Sequence, residues 1–149
     1  MQNLIKASQR IEIAGVVSCL PNRKINNYKF EDSFAKEEID KVCNSIGVNS
    51  RYQVQEKVKT SDLCLAAAKH LIDQLKWEIN SIDGMILLTQ TPDFQLPATA
   101  FKLHKLLGLK SETFAFDVNL GCSAYPYGLW LASSLMQTGP KRLILLSGD

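Results

Sequence analysis

The stretch Thr113-Phe-Ala-Phe-Asp-Val-Asn-Leu-Gly-Cys-Ser-Ala-Tyr-Pro-Tyr-Gly-Leu-Trp-Leu-Ala132 decides how this chain is read. Thr113 to Val118 is a short apolar run of strand type, and an apolar helix begins within a few residues of its end. Between them lie Asn119, Leu120, Gly121 and Cys122. A cysteine in a strand-to-helix turn sits at the positive end of a helix dipole, which favours thiolate over thiol. The N–H groups of that first helical turn lack intrahelical acceptors and can bind a developing oxyanion. This is the geometry an acyl-transfer nucleophile needs. Position alone leaves two readings of Cys122 open, a nucleophile or a small buried hydrophobe. Gly121 reads as the residue that permits the tight turn, and Asn119 as a turn-forming side chain.

The helix itself carries a second message. No charged residue occurs between Asp117 and Lys141. A helix that is apolar all round is expected to be buried on all sides. Pro126 is tolerated near a helix start, where its missing N–H has no partner to lose. Ala124, Gly128 and Ala132 recur every four residues and form a small-residue ridge suited to close approach of another backbone element. Asn119, the serines, Pro126, Gln137 and the flanking strands argue against a transmembrane segment.

Working outward, 149 residues suit one domain with a sizeable core. Hydrophobic residues make up 46% and charged residues 21%, ordinary globular values. A net charge of +2 without a basic run gives no footprint for nucleic acid. Met1 to Arg10 carries no leader-peptide pattern. Cys19, Cys43, Cys64 and Cys122 are scattered without a C-x-x-C pair, so neither a metal site nor a disulfide framework is expected. Reduced thiols point to the cytoplasm. No cofactor is called for.

Ile11 to Leu20 is β-branched and apolar and predicts a strand, closed by Pro21-Asn22. Lys24 to Ser45 predicts one or two short helices ending at Gly47, and Arg51 to Lys57 a short strand or extended loop. Thr60-Ser61-Asp62 is an N-cap cluster opening a helix through Leu75, with Leu63, Ala66, Ala67, His70, Leu71 and Leu75 near one face. Ile82 to Thr89 is a continuous apolar run of the buried parallel type. Thr91 to Pro97 is a loop, Ala98 to Leu107 a helix capped by Gly108, and Leu143 to Ser147 a last strand after the Gly139-Pro140 stop. Strands alternating with helices predict a layered α/β fold with a mixed, mostly parallel sheet.

This order of parts resembles the β-ketoacyl-acyl-carrier-protein synthase III family of the thiolase superfamily. The resemblance rests on Thr60-Ser-Asp-Leu63, on Met85-Ile-Leu-Leu-Thr89 followed by Thr91-Pro-Asp-Phe-Gln-Leu-Pro-Ala-Thr-Ala100, and on Phe116-Asp-Val-Asn-Leu-Gly-Cys-Ser-Ala-Tyr-Pro-Tyr-Gly-Leu129. It implies a thiolase-like fold whose central helix follows the nucleophile, residues 1–149 forming the N-terminal half. It implies a Cys-His-Asn site in which Cys122 takes an acyl group from a thioester. His and Asn then promote decarboxylation of malonyl-acyl carrier protein, and the carbanion attacks the acyl-enzyme. It also implies a homodimer, because Leu96 matches the place whose side chain reaches into the partner subunit's acyl pocket. Gly121 belongs to the same substrate-facing motif.

Two departures qualify the resemblance. The family's catalytic His and Asn lie in a second half, and neither His70 nor His104 matches them. The Trp and Arg that members priming from coenzyme A place before the glycine at Gly47 are absent, and Lys41 and Ser45 stand there. That leaves room for an acyl-carrier donor. Tyr125, Tyr127 and Trp130 read as core or interface residues before acyl-pocket ones. Lys102, Lys105, Lys110, Lys141 and Arg142 are the basic groups that could meet an acidic carrier protein. Against the condensing-enzyme reading stands a non-catalytic thiolase-like half, an assembly module whose Ala124–Met136 helix needs a covering partner. In either reading half of the fold leaves that helix with one bare face.

Overall fold

The computed structural model describes residues 10–30 and 33–149. The leader-peptide question concerns residues that lie largely outside these. The chain divides into two compact units, Leu20–Lys59 and a larger one built from the preceding residues together with Thr60–Asp149.

In the smaller unit, β1 (Arg23–Asn26) pairs antiparallel with β2 (Ser50–Gln53), Arg23 opposite Gln53. Helix α1 (Lys36–Ile46) lies between them in sequence and buries Ile39 and Cys43. It stops at Gly47, whose φ of 70° is left-handed and whose N–H donates to the Cys43 carbonyl. The strand Arg23–Asn26 replaces the start of the helical stretch expected there. Its polar residues hide a two-stranded ribbon from any apolar periodicity.

The larger unit is built on a parallel sheet in the order β4-β3-β5, with β3 (Gly84–Leu88) central, β4 (Phe114–Val118) on one side and β5 (Leu143–Ser147) on the other. Gly84 aligns with Phe114 and with Leu143. The two crossovers run in opposite directions, from β3 to β4 and then from β4 back past β3 to β5. Right-handed connections in opposite directions must pass over opposite faces. Accordingly α2 (Thr60–Leu75) and α3 (Thr99–Leu107) cover the face carrying Met85, Leu87, Ala115, Ile144 and Leu146. Helix α4 (Ala124–Met136) covers the face of Ile86, Leu88, Phe116 and Val118. A strand covered on both faces has no polar side to show, and all five residues of β3 are buried.

Three expectations are corrected. Ile11–Leu20 forms no strand, because a strand exists only against a neighbour and none pairs with it among the described residues. Helix α2 turns a different face inward: Ser61, Cys64, Ala68 and Ile72 are buried, while Ala66 and His70 are exposed. Helix α4 is not buried on all sides; Tyr125, Tyr127 and Trp130 are exposed, Trp130 by 66%. Its small ridge meets side chains of the sheet rather than another backbone. A Cβ at Gly128 would lie 2.6 Å from Leu88 Cδ1 and 3.1 Å from Leu145 Cδ1, so glycine lets the helix sit down on two leucines. Its outer face is left bare by the rest of the described residues.

Candidate active site

Because the sheet is parallel, the carboxyl ends of all three strands meet at one edge, where open α/β sheets bind ligands. The segments arriving there are Thr89-Gln90-Thr91 after β3, Asn119 to Cys122 after β4, and Gly148-Asp149 after β5. Hydrogen bonds sew them together. The Thr89 N–H donates to the Val118 carbonyl (3.1 Å), extending the β3–β4 ladder, and the Gly148 N–H donates to the Leu88 carbonyl (3.1 Å). The Asp149 carboxylate accepts from the Thr89 hydroxyl (3.2 Å) and from the Gln90 N–H. The Thr91 N–H donates to the Thr89 hydroxyl, and the Thr91 and Thr60 hydroxyls lie 2.9 Å apart.

Cys122 stands at this edge, exposed, two residues ahead of α4. The turn around it closes by a bond from the Ala124 N–H to the Gly121 carbonyl (2.8 Å), and the Tyr127 N–H reaches back to the Ser123 carbonyl (3.3 Å). The Cys122 N–H has no hydrogen-bond partner among the described residues, so it is available beside the thiol. Gly121 is not in a left-handed conformation. A Cβ there would meet the Gln90 carboxamide, whose nitrogen and oxygen would each lie 3.2 Å from it.

The other cysteines differ. All four are free, and Cys43 and Cys64 are buried. Burial, then the negative charge of Cys19, Asp93 and Asp149, pushes the Cys64 thiol up to about 11, which keeps it protonated and inert. The histidines are placed away from Cys122. The His104 ring bonds the Lys110 carbonyl at the opposite end of β4, a strand roughly 17 Å long. His70 lies nine residues down α2 from Ser61, about 14 Å of helix, and is exposed.

The loop before α3 is held by groups that periodicity does not reveal. The Asp93 carboxylate, whose side chain is 1% exposed, accepts from the Ser61 hydroxyl (2.7 Å) and from Lys102 Nζ (2.7 Å). The Asp93 N–H donates to the Thr99 hydroxyl (2.9 Å). Asp117 takes the N–H groups of Thr99 (2.7 Å) and Ala100 (2.8 Å), so β4 supplies the cap that α3 lacks in its own sequence. Between these anchors the loop presents Leu96, which is 89% exposed. Lys102 is thereby committed internally, Lys110 pairs with Asp83 (3.3 Å), and the Arg142 guanidinium lies 5.3 Å over the Trp77 ring. Of the basic residues considered for a carrier protein, Lys105, Lys141 and Arg142 are exposed on the surface. Among the described residues no cluster of ligating side chains could hold a metal ion, and no helix is long and apolar enough to cross a membrane.

Parallel strands with helices on both faces and an exposed cysteine in the turn entering a central helix define the thiolase-like class, and solved structures agree. A 3-oxoacyl-(acyl-carrier-protein) synthase from Burkholderia xenovorans superposes with a TM-score of 0.86 at 44% identity, over 90% of this chain and 39% of that one. OleA of Xanthomonas campestris, at 22% identity and a TM-score of 0.77, shares the fold. A Campylobacter jejuni protein named as a 3-oxoacyl-(acyl-carrier-protein) synthase 3 is 38% identical over 143 residues, 94% of this chain and 40% of its own length. No family model matches. By sequence and fold the chain is similar to 3-oxoacyl-(acyl-carrier-protein) synthases of the type III kind, and it spans about two-fifths of the length of the relatives it matches.

Proposed function

We propose that this chain is the nucleophile-bearing half of a condensing acyltransferase of the 3-oxoacyl-(acyl-carrier-protein) synthase III type. The observation that carries the reading is the exposed Cys122 with an open backbone N–H, at the carboxyl edge of the sheet and at the head of α4. The Cys122 sulfur attacks the carbonyl of an acyl thioester. The new S–C bond forms through a tetrahedral oxyanion that the Cys122 N–H stabilises, and the donor thiol departs with the proton. Malonyl-acyl carrier protein then loses carbon dioxide, and its carbanion attacks the acyl-enzyme and frees Cys122. The His and Asn this second step needs lie outside these 149 residues, since His70 and His104 stand away from the edge. Gly121 keeps the substrate side of the turn slim, and Leu96 at the loop tip suits insertion into a partner subunit's acyl pocket in a homodimer. Acyl carrier protein, acyl and malonyl thioesters, and the cytoplasm as location complete the reading.

The bare face of α4 favours a second element in the account, that the half acts only when covered. The test is intact-mass and peptide mapping after limited iodoacetamide at neutral pH. The expected result is a single adduct on Cys122, absent in Cys122→Ser, with Cys64 and Cys43 unmodified. Equal labelling of several cysteines, or none on Cys122, sinks the nucleophile assignment and leaves the assembly-module alternative.

A further inference from the structure

Gln90 is exposed at the edge that carries Cys122, and its backbone is braced from several directions. Its own N–H is fixed by the Asp149 carboxylate. The residue before it is locked into the ladder by the Thr89 N–H to the Val118 carbonyl, and the residue after it by the Thr91 N–H to the Thr89 hydroxyl. A backbone held in this way delivers its side chain to one place. That place is the Cα of Gly121, on which the carboxamide lies with its carbon 3.3 Å, and its nitrogen and oxygen 3.2 Å, from where a Cβ would stand.

The geometry points to Gln90 as a positioning residue for Cys122, acting through Gly121. The carboxamide forms a flat floor under the turn and limits how far the Gly121–Cys122 peptide can tilt. It thereby keeps the Cys122 N–H and sulfur in fixed relation to the start of α4. Glycine at position 121 is the complement of that floor: any side chain there would have to push the carboxamide aside by a few tenths of an ångström. The inference rests on the nucleophile reading above and adds to it the element that holds the nucleophile in place.

The test measures second-order rates of Cys122 alkylation by iodoacetamide in the 149-residue chain and in Gln90→Ala, Gly121→Ala and the double variant. Gln90→Ala removes the floor and Gly121→Ala displaces it, and each is expected to slow Cys122 about tenfold, since small misplacements at a reacting centre carry such penalties. Because both act on one contact, the double variant is expected to be no slower than the slower single. Independent effects would instead multiply to about a hundredfold. Gln90→Glu keeps the size and places a carboxylate on the floor. It is expected to move the pH–rate profile of Cys122 alkylation upward by like-charge repulsion, which a distant structural substitution would not do. Asp117 and Asp149, the carboxylates bonded at this edge, are common to both proteins. An unchanged rate in Gln90→Ala, multiplicative singles, or an unmoved profile in Gln90→Glu overturns the assignment while leaving the nucleophile reading standing. A wild-type Cys122 with no selective reactivity overturns both.

Discussion

Two aspartates at opposite ends of one sheet show how single residues divide the work of holding it. At the carboxyl edge, Asp117 gives both oxygens to the first N–H groups of α3, whose N-cap position is Ala98 and has no side chain for the task. Asp117→Ala orphans two donors at a helix start and is expected to destabilise the protein by about 2 kcal/mol, read from urea unfolding. At the amino edge, Asp83 accepts from the N–H groups of Lys141 (2.7 Å) and Arg142 (3.2 Å) and pairs with Lys110. The Lys141 N–H above all, with Arg142 and Lys110, holds its carboxyl below the ordinary value of 3.8 against a smaller opposing effect of burial. The folded state therefore binds that proton less readily than the unfolded chain. The stabilisation is complete above the ordinary value and disappears as pH falls through the lower folded one. Thermal unfolding from pH 6 down to pH 2 is expected to show Asp83→Asn less stable than wild type at the upper end and converging with it at the lower. A constant difference across that range would remove Asp83 from the acid response.

At the scale of elements, glycines mark where neighbours come closest. Gly84 opens β3 on the face that α4 covers, and a Cβ there would meet the Phe114 ring at 2.1 Å across the parallel pair. Phe114 lies over the glycine and stacks at 6.0 Å on Phe116. Gly84→Ala is expected to cost about 1–3 kcal/mol as an overpacked pair. In the background of Phe114→Leu the same change should cost at least about 1 kcal/mol less, a coupling readable in a double-mutant cycle. The same scale shows what sequence could tell. The strands Gly84–Leu88 and Leu143–Ser147 and the helices of the larger unit were legible because burial on both faces, or a capping glycine such as Gly108, writes itself into composition. The ribbon of β1 and β2 was not, because its residues are polar and mostly exposed. The inward face of α2 was misjudged because Ser61 is buried by a bond to Asp93, a contact 32 residues away that no periodicity reports. The strand-to-helix turn that carries Cys122 was legible from one stretch. The approach of the Gln90 carboxamide to Gly121 was not, since it joins two segments 31 residues apart.

At the scale of the whole molecule, the apolar character of α4 is explained only in part by what the chain provides. Its inner face, Ala124, Gly128, Leu131 and Leu135, packs on the sheet, whereas Tyr125, Tyr127 and Trp130 face outward. Exposed aromatic side chains on a helix with no charge have little to keep them apart from other apolar surfaces. Purified alone, the chain is expected to self-associate with rising concentration, and Trp130→Glu is expected to shift light scattering toward the monomer without loss of the β-sheet signal. The edge that carries Cys122 holds neither histidine, so on the proposed function an acyl group would be taken up there with no imidazole beside it to promote decarboxylation of a malonyl thioester. Incubated with an acyl thioester it is expected to gain one acyl group on Cys122, and with malonyl-acyl carrier protein added it is expected to release no carbon dioxide above the uncatalysed level. Malonyl-dependent condensation by the purified 149 residues would mean that a group within this chain does the work assigned to a second half. Acylation without condensation would place the division of labour where the bare face of α4 and the position of Cys122 put it.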